Sequence, residues 1–143
     1  NHFQEKYELI EWIIKSELLE PIKPLLNAGM IFEAIVLMLN NISANSVFYK
    51  KALKLEGAVT FNQIAMKCGY EMFMNIINEK STGKKSKYRW LTPEVISTYY
   101  AQSLCFITEG WIAQGMDDIE PKEMAEAYMY LITRSMDDIL SEL

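Results

Sequence analysis

The side chains able to do chemistry are few and far apart. His2 is the only histidine, so a histidine-based triad, an HExxH zinc site and the ExxH pair of di-iron bundles are out of reach. The six glycines are scattered, and no phosphate-cradling loop forms. "MDDI" occurs twice, at Met116–Ile119 and Met136–Ile139. Paired aspartates could begin a calcium or magnesium site, but such ions want about six oxygen ligands or more from a defined arrangement. Solvated acids are the better reading. Cys68 and Cys105 sit in apolar stretches without CxxC spacing, which suits reduced, buried thiols better than a disulfide. No catalytic residue, metal ligand or cofactor contact is assigned, and the chain reads as a non-enzyme.

Binding chemistry is better represented. Nine methionines, eight tyrosines, six phenylalanines and three tryptophans supply the adaptable apolar surface that lines small-molecule pockets, although each such residue taken singly is more often core. Polar groups at Tyr100 and Thr108, isolated on apolar stripes, make a cavity plausible in aggregate. The expected lining is Trp12, Phe32, Val36, Phe61, Ile64, Cys68, Tyr100, Leu104 and Thr108, and the expected ligand a small apolar or amphipathic effector.

Charge and hydropathy exclude other classes. With 14 basic against 19 acidic residues, the chain has no bulk electrostatic grip on nucleic acid. "STGKKSKYRW", residues 81–90, reads as a solvated loop; its four basic residues are too few for a nucleic-acid patch, even with Tyr88 and Trp90 flanking Arg89. The longest strongly apolar stretch, "MIFEAIVLML", is half the ~20 residues of a membrane span and contains Glu33. No signal peptide is visible, so the expected protein is soluble, cytoplasmic and free of membrane partners.

The elements that must position these residues are helices, since no alternating run is long enough for a strand. Leu9, Ile10, Ile13, Ile14, Leu18, Leu19 and Ile22 form one stripe continuing to Leu25 and Leu26, and Pro21 and Pro24 should kink or end that helix near Glu20. A central helix is expected from about Met30 to Asn41, ended by "NNISANS", then a short one from Ser46 to about Leu55, stopped by Gly57. Thr60 and Gln63 form a capping box opening a helix to about Glu79. Thr92-Pro93-Glu94 opens another, to about Gln114 with Gly115 as its cap. From Glu120-Pro121 a last helix is expected almost to Leu143, giving an all-α bundle of about six helices that ends in an antiparallel hairpin. Residues 1–143 read as one domain.

Both long C-terminal helices carry a second apolar face. Tyr99, Ser103, Phe106 and Gly110 make one, and Tyr128, Leu131, Ser135 and Ile139 the other. These faces suit either a four-helix homodimer interface or a hairpin packed only within the monomer.

Two motifs decide the larger context. "NHFQEKYELI" resembles the junction between recognition helix and fourth helix in tetracycline-repressor (TetR) family regulators, and "EGWIAQGMDDIEPKEMAEAYMYLI" resembles the family's W…GM…PEEMA connection between its last two helices. The resemblance spans the whole chain as the carboxy-terminal part of such a regulator. It implies a helical bundle that binds an effector and forms a homodimer, acting as a repressor, with operator DNA held by a helix-turn-helix preceding Asn1. By position, His2 and Phe3 match the tail of the recognition helix, residues 1–6 the remnant of the junction, and His2 and Lys6 places where the family touches DNA phosphates. Glu120, in place of a serine-like cap, and the prolines at 21 and 24 depart from the family pattern. The alternative is a stand-alone helical carrier of apolar ligands, or a protein-interaction module with no DNA-binding function.

Overall fold

The computed structural model describes residues 2–143 apart from the side chain of Phe3, so the junction reading of Asn1 and of the Phe3 side chain lies outside the described residues. Eight α-helices and one π-helical segment make up the described chain: α1 (His2–Ile13), the π segment (Ile14–Leu19), α2 (Lys23–Asn27), α3 (Ile31–Ala44), α4 (Ser46–Leu53), α5 (Phe61–Lys80), α6 (Pro93–Ala113), α7 (Pro121–Thr133) and α8 (Met136–Glu142).

The first stripe ends in a manner dictated by Pro21. Proline has no amide to offer the carbonyl four residues back, that of Glu17. The preceding turn widens instead, with the Glu20 amide donating to the Lys15 carbonyl over 2.8 Å, a five-residue step. Asn41 of α3 fills the vacancy, its Nδ2 donating to the Glu17 carbonyl at 3.0 Å. Tyr49 of α4, fully buried, donates its hydroxyl to Glu17 Oε2 at 2.8 Å. Leaving such a carbonyl unpaired would cost about 1–3 kcal/mol, so two other helices fasten this one turn.

The central helix α3 buries Ala34, Ile35, Met38, Leu39 and Ile42. It runs through Asn40, Asn41 and Ser43 to Ala44, past the break expected at "NNISANS", because Ile42 is anchored in the core and Asn41 spends its amide on Glu17. Asn45 then turns the chain through 90° into α4, which ends at Leu53, short of the expected Leu55. The capping box opens α5 as its sequence requires: Thr60 Oγ1 accepts from the Gln63 amide at 3.2 Å, and Gln63 Oε1 accepts from the Thr60 amide at 2.8 Å. Thr92 Oγ1 accepts from the Val95 amide at the start of α6. Helices α5 and α6 approach closely where Gly69 meets Ala101, a methyl at Gly69 lying 3.4 Å from the Ala101 Cβ.

Ion pairs tie the first stripe to α5. Glu11 meets Lys67 at 2.9 Å and Lys15 at 3.2 Å, and Lys15 also reaches Glu71 at 3.2 Å. The two lysines, Lys67 first, hold the Glu11 carboxyl below its ordinary value.

The expected last helix is two helices. Arg134 is extended, and Ser135 caps α8 by accepting from the Asp138 amide at 3.1 Å, while Asp137 and Asp138 lie in that helix's favourable first turn. Ser135 and Ile139 therefore leave the α7 stripe that Tyr128 and Leu131 occupy. Between α6 and α7, Gly115 and Met116 both take positive φ, 95° and 64°. Trp111 donates its indole N–H to the Ile119 carbonyl at 2.8 Å, closing that turn over the core.

Candidate functional site

A small cavity of about 50 Å³ lies where the π segment, α3, α5 and α6 converge. The π segment contributes Ile14, Leu18 and Leu19, α3 contributes Met38 and Ile42, and α5 contributes Phe61, Ala65 and Gly69. From α6 come Ala101, Leu104, Cys105, Thr108 and Glu109, successive members of one helical face. The wall is apolar except along this last edge.

The polar edge offers acceptors. Thr108 Oγ1 is buried without a hydrogen-bond partner. Glu109 Oε2 accepts from Asn62 Nδ2 at 2.6 Å, a link between the exposed first turn of α5 and α6. Burial pushes the Glu109 carboxyl up from its ordinary range, with the Asn62 bond opposing. Burial likewise pushes the Cys105 thiol up to about 12 and the Cys68 thiol to about 11, and both cysteines are free. These thiols stay protonated at neutral pH and are poor nucleophiles.

Two surface features surround this core. A groove of about 820 Å³ runs beside the first turns of α6, walled by Tyr70, Trp90, Leu91, Glu94, Val95, Tyr99 and Tyr100. A furrow of about 370 Å³ lies between α6 and α7, lined by Tyr99, Gln102, Ser103, Phe106, Ile107, Tyr128, Leu131 and Ile132. Ser103 Oγ and Tyr128 Oη sit 2.9 Å apart at its floor. Phe106, 75 % exposed, and Leu131, 49 % exposed, stand on its rims.

The residues singled out from sequence are divided among these places. Phe61, Leu104 and Thr108 line the core cavity, and Ile64 and Cys68 are buried in the core beside its walls. Phe32 and Val36 pack half-buried against the core outside the cavity lining. Tyr100 faces the outer groove, and Trp12 is 65 % exposed on α1, so the structure does not bring these two into the cavity. On the second face, Tyr99, Ser103, Phe106, Tyr128 and Leu131 line the furrow and Gly110 is exposed further along α6. Ser135 caps α8 and Ile139 lies on it, and both are outside the furrow lining. His2 and Lys6 are exposed on α1, with His2 Nδ1 3.9 Å from the Glu5 carboxylate.

Sequence reasoning missed the contribution of the π segment and of Met38, Ile42 and Glu109. The signal for the first was Pro21, whose position four residues after Glu17 marks a carbonyl that must find another donor. Among the described residues no group of three ligating side chains could hold a metal ion, and no single helix is long and apolar enough to cross a membrane.

These features define an all-α bundle with a small core cavity and an exposed two-helix face. The family model for the C-terminal region of TetR-type transcriptional regulators matches residues 30–134. The chain belongs to this family. Comparison with curated proteins and with solved structures gave no significant match.

Proposed function

We propose that residues 1–143 form one effector-binding and dimerisation domain of a transcriptional repressor, in which a small molecule in the core cavity alters DNA binding by a helix-turn-helix segment preceding Asn1. The observation that carries this reading is the shared wall: the π segment at the end of the first helix closes the same cavity as α5 and α6. A ligand there must press on the helix that leads toward the DNA-binding part, and differential contact with two arrangements of that helix is what coupling requires. Single π turns inside helices recur at functional sites. The cavity of about 50 Å³ is well below the roughly 300 Å³ and more of ligand pockets, so a bound effector requires the surrounding helices to move apart. His2 and Lys6, exposed on α1, are suited to phosphate contacts beside the reading helix.

The second half of the function is a homodimer through α6 and α7, with Phe106 and Leu131 buried against their symmetry mates. Its support is the furrow, whose exposed aromatic and aliphatic rims have no covering element among the described residues.

Native mass spectrometry of protein isolated from its source cell tests the ligand half. The expected spectrum carries a small-molecule adduct that is lost in Ala65→Leu, which fills the cavity. An adduct that persists in this folded variant would place the ligand elsewhere and overturn the reading.

A further inference from the structure

We propose that the core cavity takes a compact amphipathic amine, whose ammonium group is held by Glu109 and Thr108 while its apolar body lies against Phe61, Leu104 and the Leu18–Leu19 wall. The inference rests on the core-site reading above and adds the chemical class of the ligand.

The polar edge of the cavity selects that class. Its groups are the Glu109 carboxylate, the unpartnered Thr108 hydroxyl and the Cys105 thiol. The first two accept hydrogen bonds, and no cationic side chain pairs with Glu109 among the described residues. An anionic ligand would meet a carboxylate with no counter-charge, and a purely apolar one would leave Thr108 Oγ1 unsatisfied. A protonated amine supplies both the donors and the missing charge.

Geometry gives the amine a way to bind. The neutral Asn62 amide donates to Glu109 Oε2 at 2.6 Å across the α5–α6 edge. An ammonium arriving at the same carboxylate replaces this donor with a charged one, so the closing link between the two helices is exchanged rather than simply broken. Burial that raises the Glu109 carboxyl is relieved by a cation at that point. The remaining walls are methyl, methylene and ring surface, with flexible Met38 among them.

The test uses the folded chain, with isobutylammonium and its neutral counterpart isobutanol as probes, followed by methyl-resolved NMR of Leu18, Leu19, Ile42 and Leu104. Isobutylammonium is expected to shift these methyls and to bind at least tenfold more tightly than isobutanol. Glu109→Gln, which keeps a partner for Asn62, should reduce that ratio to near unity. If both probes shift the cavity methyls with equal affinity, or the preference survives Glu109→Gln, the amine proposal falls while the cavity remains a ligand site. If neither probe moves these methyls at saturating concentration, the core-site reading falls and the proposal with it.

Discussion

The two faces of α6 both carry large apolar side chains and are opposite in fate. One face, with Ser97, Ala101, Leu104 and Trp111, is buried by α4 and α5 and by the turn that leads to α7. The other, with Tyr99 and Phe106, is 62 % and 75 % exposed at those positions. Hydrophobic pattern alone says that both faces avoid water; the packing shows that the monomer covers only one. In our reading this one helix is divided between two partners, its own core on one side and a second copy on the other.

The largest effect should come from the covered face. Trp111→Ala removes a side chain that is 2 % exposed and bonded to Ile119, and should cost about 3–5 kcal/mol in urea unfolding. Phe106→Ala, at dilutions where the chain is monomeric, should stay within about 0.5 kcal/mol. Equal costs would erase the distinction between the faces.

Next is the fastening of the cavity wall. Asn41→Leu leaves the Glu17 carbonyl without its donor and should destabilise the chain by about 1–3 kcal/mol. Hydrogen exchange should quicken within the π segment while α7 is unaffected; uniform loss of protection would show that the segment is no separate unit. Thr60→Ala removes one half of the α5 capping box and should cost about 1 kcal/mol in the same unfolding assay.

The smallest effect is pH-dependent. Because the Glu11 carboxyl is held below its ordinary 4.5 in the folded chain, its contribution is fully present above that value and lost as pH falls through the folded one. Its lysine partners are nearly half exposed, so the contribution should be less than about 1 kcal/mol after solvent screening. Acid unfolding of Glu11→Gln, compared with wild type below pH 4.5, should show that part of the loss removed. An unchanged acid profile would assign the low-pH instability to other carboxylates.

Much of this arrangement could be read from the residues. Thr60 with Gln63, Thr92 with Pro93, and Gly115 mark their boundaries because each solves a local hydrogen-bond or dihedral problem that sequence displays directly. The break at Arg134 was equally local, since Ser135 followed by Asp137 and Asp138 is a helix start, but the apolar period running through it masked the signal. The cavity was less legible. Phe32 and Met38 are both apolar on α3, and only packing puts Met38 in the cavity wall and Phe32 at the margin of the core. Trp12 has the size and apolar surface of a pocket residue, yet it is exposed on α1. Glu109 is a charged residue on an apolar helix, and its place at a cavity edge depends on Asn62, 47 residues away in the chain.

Sedimentation velocity of the chain over a range of micromolar concentrations, alongside Phe106→Glu, tests the central division of α6 most directly. The account predicts a dimer for the wild type and a folded monomer for the variant. A wild-type chain that sediments as a clean monomer throughout, or a variant that dimerises as the wild type does, would contradict it.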